Sequence, residues 1–457
     1  MATISEAYTS FFKKLTLEEL LPSVIERAKD VILDTLGVGI GGSHSPWVRS
    51  ATKFAVEQNT NEESILWGTA KRTSCAYAAL VNGTATHAYD YDETHNGCSI
   101  HGAGVLLPGL LAFGERERLP GRALITAFVA GYEFICRVGM AIGPHSIYSR
   151  HLHPTGVIGP LGAALAVGLL LELPEREIVW AIGIAGSMPV GLLETLIDGS
   201  WTKRIHSGLA CHNGVMAALL ASNGFTGPIG IIEGRRGVFQ AYVKEHGEPE
   251  LLLPLGSNYQ IMNSQIKLYA CNSGHHTSIE SLMTVLRENS IRVEQIEEIE
   301  IGLRPSTLGS SYTDSYPQNS LQAQMSPAYV IAVSAIFGQV TLSEFTQEIL
   351  NDTRVRDLAS KVKIEVKPEF TRRSEDRFRM PARVQVKTSD AKVFTYGVMY
   401  PKDGPGNRCL REELVEKFKK LTVPILGSRK VAAILSYLEH LEELDDLRKL
   451  SELTIIE

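Results

Sequence analysis

The chain has 457 residues, a formal net charge of −6, 44% hydrophobic and 21% charged residues. That length exceeds one ordinary core, so two domains, or one large helical body with an appendage, are expected. No long basic run offsets the acidic balance, which argues against nucleic acid as a partner, and no uninterrupted apolar stretch reaches the roughly 18 residues of a membrane span.

The six cysteines are scattered without a C-x-x-C pair, a usage that suits reduced thiols and argues against a zinc or iron–sulfur site of clustered cysteines. Residues 1–6 carry no basic region followed by an apolar core, so no secretory signal is read there. The expectation is a soluble, cytoplasmic protein.

In chain order, residues 17–36 have apolar positions at helical spacing, and the glycine run Gly37-Val38-Gly39-Ile40-Gly41-Gly42 follows. It is a literal G-x-G-x-x-G, but a helix precedes it and Ser43-His44-Ser45-Pro46 follows. A dinucleotide loop needs the opposite context, so a helix C-cap and close packing are expected instead. Between His87 and His101 lie three carboxylates (Asp90, Asp92, Glu93) and a third histidine, His95, flanked by apolar segments on both sides. Polar groups so placed face a desolvation cost and are kept where they are paired or used.

From about 73 to 245 helix follows helix, rich in Ala, Gly and Leu. Pro154 favours the first helical position, which puts His153 at a helix N-terminus where an anion is favoured. The segment 198–208 reads as a basic loop before a helix over 209–222. Its Lys203, Arg204 and His206 form the best carboxylate-binding candidate in the chain. Near 260 the pattern changes. Ile299/Ile301/Leu303, Val362/Ile364/Val366 and Val384/Val386 alternate as strands do, and 388–391 reads as a hairpin turn before a strand from Val393. Helices are expected over 277–288 and 327–337, the latter with Ser326 as N-cap and Pro327 at N1. Past Gly404-Pro405-Gly406 helices return over 411–421 and 429–450 and are expected to pack back on the first ones. The expected division is a helical domain over 1–262, an α+β lid over 263–403 and a helical return over 404–457. At the junction, Lys267, His275 and His276 suggest a cleft.

Several segments together resemble the MmgE/PrpD family, which includes 2-methylcitrate dehydratases, cis-aconitate decarboxylases and iminodisuccinate epimerases. They are Ile32-Leu33-Asp34-Thr35-Leu36-Gly37, His87-Ala88-Tyr89-Asp90-Tyr91-Asp92-Glu93-Thr94-His95, Gly199-Ser200-Trp201-Thr202-Lys203-Arg204, Gly224-Phe225-Thr226-Gly227-Pro228 and Lys267-Leu268-Tyr269-Ala270-Cys271. The resemblance implies a mainly α fold with α+β: a large helical domain built from both chain ends plus a smaller α+β lid. It also implies a homodimer without metal or organic cofactor. Carried over residue by residue, the catalytic set would be Asp90, His101, His153, Lys203 and Lys267, with Arg204, Tyr329 and His276 as substrate-binding residues. The dehydratase branch shows His-Pro-Ser-Asp-Asn where this chain has His101-Gly102-Ala103-Gly104-Val105. Animal decarboxylases carry a histidine where this chain has Asn272, and the run Ile266 to Cys271 resembles the fungal decarboxylases.

Such chemistry on a small di- or tricarboxylic acid needs cations for the carboxylates and one group to move a proton at carbon. Lys203 and Lys267 suit the first task. His101 suits the second, since an ordinary imidazole titrates near 6.5. The favoured activity is a lyase converting cis-aconitate to itaconate; epimerase and hydro-lyase chemistry are the alternatives within the family. Outside it stand a metal hydrolase using Asp90, Asp92, His95 and His101, which lacks H-x3-H or H-E-x-x-H spacing, and a non-catalytic helical scaffold.

Overall fold

The computed structural model describes residues 2–58, 60–244, 247–309, 312–371 and 376–456. The class is the expected one, mainly α with a small α+β part. One hydrophobic core runs from Tyr8 to Ile266 and is completed by Leu414 to Leu450. A second gathers residues from Ala270 to Val386 and takes in the buried Val38 and Tyr91 from the first stretch. Lys267 thus lies between Ile266, buried in the first core, and Ala270, buried in the second.

The helices that build the site are α1 (Pro22–Gly42), α2 (Cys75–Thr86), α3 (Gly102–Glu117), α4 (Gly121–Ile142), α5 (Pro154–Leu170), α6 (Thr202–Ser222) and α7 (Arg411–Glu439). Two of them, α4 and α7, are long and apolar enough by length and composition to cross a membrane. Of α4, 94% of the apolar window is buried inside the protein, and α7 is broken at Gly427, whose φ is 77°.

Three sequence-based expectations about these helices need correction. The glycine run does not cap α1 but lies inside it. A Cβ on Gly37 would fall 2.6 Å from the Phe418 ring, and one on Gly42 would fall 2.2 Å from the Ala85 carbonyl oxygen. Close contact with α7 and α2 outweighs the roughly 1 kcal/mol that each glycine costs a helix. The basic segment is not a loop, because α6 begins at Thr202. Lys203, Arg204 and His206 therefore sit on its first turns and are all buried. The return helix runs through 422–428 as a kinked continuation rather than stopping at 421. It does pack back on the first part of the chain, as expected: Phe418 and Leu421 meet Gly37 and Gly41.

The lid holds a four-stranded sheet of β1 (Ile296–Leu303), β2 (Val362–Val366), β3 (Ala382–Thr388) and β4 (Val393–Val398), in the order β2-β1-β3-β4. β1 pairs parallel with β2 and antiparallel with β3, so Ile301 lies between Ile364 and Val384. β3 and β4 form the expected hairpin. The helix Pro327–Phe337 starts where expected, with the Ser326 side chain accepting from the Tyr329 N–H.

Candidate active site

The junction between α2 and α3 carries the acidic stretch. Asp90 sits in the left-handed region, with φ of 52°. This turns the chain, so His87, Asp90 and Asp92 meet although their spacing matches no regular face. α6 comes close to α2 because glycines face each other: a Cβ on Gly83 would lie 2.8 Å from the Gly208 Cα. That approach carries the first turn of α6 onto the end of α2. Lys203 and His206, three apart, share one helix face; Lys203 reaches the acidic stretch and His206 meets His153.

Lys203 Nζ donates to Asp90 Oδ1 at 2.8 Å and to His87 Nε2 at 2.9 Å. Lys267 Nζ donates to the Asp90 carbonyl at 2.8 Å and lies 3.1 Å from Asp90 Oδ2. Burial opposes the charge of Asp90, but the Lys203 and Lys267 ammoniums override it and hold the carboxyl far below its usual range. Burial also pulls the Lys203 ammonium down, against the attraction of Asp90.

Asp92 is shared by two histidines. Its Oδ2 lies 2.9 Å from His87 Nδ1 and 3.2 Å from His101 Nδ1. Burial works against its ionisation, yet His101 and His87 hold it well below the ordinary value. Burial pushes His87 down to about 4, Asp92 resisting and Lys203 assisting. A neutral His87 fits its neighbours: Nδ1–H donates to the carboxylate and Nε2 accepts from Lys203. His101, the N-cap of α3, has Nδ1 2.8 Å from the Glu93 carbonyl as well as near Asp92. Both neighbours only accept, so Nδ1 carries a proton and Nε2 is the atom left for exchange.

Around this core, His101 N–H donates to Thr155 Oγ1 at 3.1 Å, tying the start of α3 to α5. His153, the N-cap of α5 as expected, stacks on His87 with ring centroids 5.6 Å apart, and its Nδ1 lies 3.3 Å from His206 Nδ1. Burial and the Lys203 charge keep His153 well below its ordinary value, and burial pushes His206 down to about 3. Glu93 points the other way: Tyr132 Oη donates to Oε1 and Ala103 N–H to Oε2. Burial raises this carboxyl to about 8, against those bonds.

The structure therefore brings Asp90, His101, His153, Lys203 and Lys267 into one cluster at the junction of the two cores. Within it, the side chains of His101 and Lys203 keep 9% exposure each, against 1% for Lys267 and Asp92 and none for His87. Three sequence-based assignments differ. Tyr329 is not part of the cluster: its hydroxyl donates to the Glu344 carbonyl at 2.6 Å and its ring packs on Phe345 in the lid core. Arg204, one residue from Lys203, turns to another face of α6. It donates to the Ala88 carbonyl, to Ser320 Oγ at 3.1 Å and to Gln324 Oε1 at 3.3 Å, and lies 4.0 Å over the Trp47 ring. Its guanidinium is a joint between body and lid rather than a free cation. His276 is buried with its Nδ1 3.3 Å from Gln265 Nε2 and its ring against Tyr269, and burial pushes it down to about 3. It is a neutral neighbour of the cluster. Conversely, His87 and Asp92 belong to the cluster and His206 borders it. The first two stood in the acidic stretch, but only the turn at Asp90 makes them partners.

Among the described residues three histidine-containing sets have ligand atoms within 4.8 Å of one another: His87/His101/His153, His95/Cys98/Cys136 and His87/Asp90/Asp92. Both nitrogens of His87 are engaged, and the Lys203 ammonium occupies the position a cation would take beside Nε2. His95 Nδ1 is 3.2 Å from Cys98 Sγ. Its Nε2 is buried without a hydrogen-bond partner among the described residues, so the outer bond that usually orients a metal-bound imidazole is missing. None of these sets is well built for a metal.

Family models match both parts of the chain: the MmgE/PrpD N-terminal domain over residues 6–250 and the MmgE/PrpD C-terminal domain over 269–443. The cis-aconitate decarboxylase-like protein oryM of Aspergillus oryzae is 29% identical, with 91% of each chain covered. A cis-aconitate decarboxylase of Aspergillus terreus is 27% identical over 92% of this chain and 89% of its own. The Mus musculus cis-aconitate decarboxylase is 28% identical over 81% of this chain and 77% of its own.

Proposed function

The chain belongs to the MmgE/PrpD family, and we propose that within it the protein is a lyase that decarboxylates cis-aconitate to itaconate. The observation that carries this is the pairing of two ammoniums with one histidine of fixed tautomer. An ammonium has three N–H groups. Lys203 directs two at Asp90 and His87, and Lys267 directs its own at the Asp90 backbone and carboxylate, which leaves at least one on each for a substrate carboxylate. His101 presents Nε2 beside them.

In the proposed reaction one C–C bond breaks and CO2 leaves. Its electron pair spreads over the neighbouring double bond toward a retained carboxylate. Lys203 and Lys267 stabilise that charge, and preorganised charges of this kind supply much of an enzyme's rate. Doubly protonated His101 then gives its Nε2 proton to the far carbon, and solvent reprotonates the ring. Asp92 and the Glu93 carbonyl keep Nδ1–H in place throughout. The names of the relatives and the run Ile266 to Cys271 favour decarboxylation over the family's other reactions.

The test is to incubate the purified protein separately with cis-aconitate, 2-methylcitrate and iminodisuccinate and to follow products by NMR. Itaconate from cis-aconitate alone supports the proposal. Turnover of either other acid, with no itaconate, moves the protein to another branch of the family.

A further inference from the structure

Lys417 lies in α7, 383 positions from its partner Asp34 in α1. Asp34 belongs to the Ile32-to-Gly37 segment, to which no role in the cluster has been given so far. The Lys417 side chain is 5% exposed and that of Asp34 2%. Burying such a pair is costly, and a pair of this kind does not by itself imply added stability. Its bonding is more telling. Lys417 Nζ donates to Asp34 Oδ1 at 2.5 Å, to the Tyr91 carbonyl at 2.9 Å and to the Lys267 carbonyl at 2.8 Å. Nζ also lies 3.9 Å over the Tyr91 ring. All three N–H groups are thereby engaged, each on a different segment.

Two of those segments carry the cluster. Tyr91 stands between Asp90 and Asp92, and Lys267 is itself one of the two ammoniums. The same two strips of chain also meet where Thr94 and Gln265 exchange backbone bonds of 2.9 and 2.8 Å, where Asn96 Nδ2 donates to Gln265 Oε1 at 2.6 Å, and where Tyr91 Oη donates to the Leu268 carbonyl at 3.3 Å. Among these ties Lys417 is distinguished by reaching in from a third element, α7, and holding a backbone carbonyl of each strip.

We propose that Lys417, held by Asp34, is a positioning residue that fixes the distance between Asp90–Asp92 and Lys267. It touches no substrate and acts through the carbonyls it holds. The inference rests on the cluster above being the site of catalysis. An arginine could not replace it, since a planar fork cannot serve three acceptors arranged about one nitrogen.

The test compares wild type, Lys417→Met and the double variant Asp34→Leu/Lys417→Met. The single variant leaves a carboxylate buried without its partner and loses stability. The double variant removes that charge, so it should be more stable than the single one. A positioning role predicts that turnover of cis-aconitate stays about 10- to 100-fold down in both variants, because misplacement by an ångström costs on that order. It also predicts faster hydrogen exchange at the Thr94 and Gln265 amides in the folded double variant. A purely structural role predicts that turnover returns with stability and that those amides keep wild-type protection; that result overturns the proposal. If wild type makes no itaconate, the assigned reaction fails, while hydrogen exchange still decides whether Lys417 holds the two segments.

Discussion

Lys203 donates to Asp90 at 2.8 Å although 113 positions separate them in the chain. Lys267 approaches the other oxygen of the same carboxylate. One negative charge thus anchors two positive ones and leaves a net positive clamp. Lys203→Ala and Lys267→Ala should each lose roughly 1.5–3 kcal/mol of substrate interaction, about 10- to 150-fold in kcat/KM. Lys→Arg should not restore it, for a fork does not replace a point charge. Steady-state kinetics on folded variants would check this, and near-normal values for both alanine variants would refute the clamp.

His101→Ala should lose about 10²–10⁴-fold in turnover while still binding substrate. Asp92→Asn should lose less, but should alter the tautomer of His101 as read by ring-nitrogen NMR. With cis-aconitate in deuterium oxide, itaconate should carry one new deuterium. Itaconate formed at wild-type rate by His101→Ala would remove that residue from the proton transfer.

Glu93 provides a pH test of the buried network. Its folded value of about 8 lies above the ordinary 4.5, so the unfolded chain releases that proton first. The stability that protonated Glu93 contributes is whole below pH 4.5 and is lost as pH rises through 8. Glu93→Gln keeps an acceptor for the Ala103 N–H, presents its amide N–H to Tyr132, whose hydroxyl must turn from donor to acceptor, and cannot ionise. Relative to wild type it should gain roughly 1.4 kcal/mol per pH unit inside that window. Urea unfolding at pH 5, 7 and 8 measures this; a difference that does not change with pH would contradict a neutral Glu93.

Tyr329→Phe tests the reassignment of that residue to the lid core. The change deletes one hydroxyl bond to the Glu344 carbonyl and should cost about 0.5–1.5 kcal/mol of stability. KM and kcat should stay within about twofold, because an intact cluster keeps its transition-state contacts. A large rise in KM would return Tyr329 to the substrate.

What could be read ahead of the structure depended on whether a residue's role was local. The helix Pro327–Phe337 was legible because Ser326 and Pro327 state its start within two positions, and the strands because Ile299, Ile301 and Leu303 alternate. The start of α6 was not legible. Lys203, Arg204 and His206 have the polarity of a solvated loop, and only the approach of Gly83 to Gly208 shows that they are buried on a helix. Arg204 and Lys203 are neighbours in sequence, yet the helix sends them to different partners. His87 and Asp92 were visible as residues but not as a pair, since the left-handed turn at Asp90 leaves no periodicity. Lys417 carried no signal at all: its three acceptors are a carboxylate and two backbone carbonyls far away in the chain.

The pairing of α1 with α7 also bears on how the protein is made. As the chain leaves the ribosome, α1 emerges early with Gly37 and Gly41 facing nothing, and Phe418 and Leu421 follow hundreds of residues later. Contacts of such long range are slow to form and leave apolar surface uncovered meanwhile. The nascent body must wait with an open seam. A truncation that removed α7 would leave α1 without its partner and the Asp90 turn without Lys417, so a prematurely terminated product would lack a closed body and an assembled active centre alike.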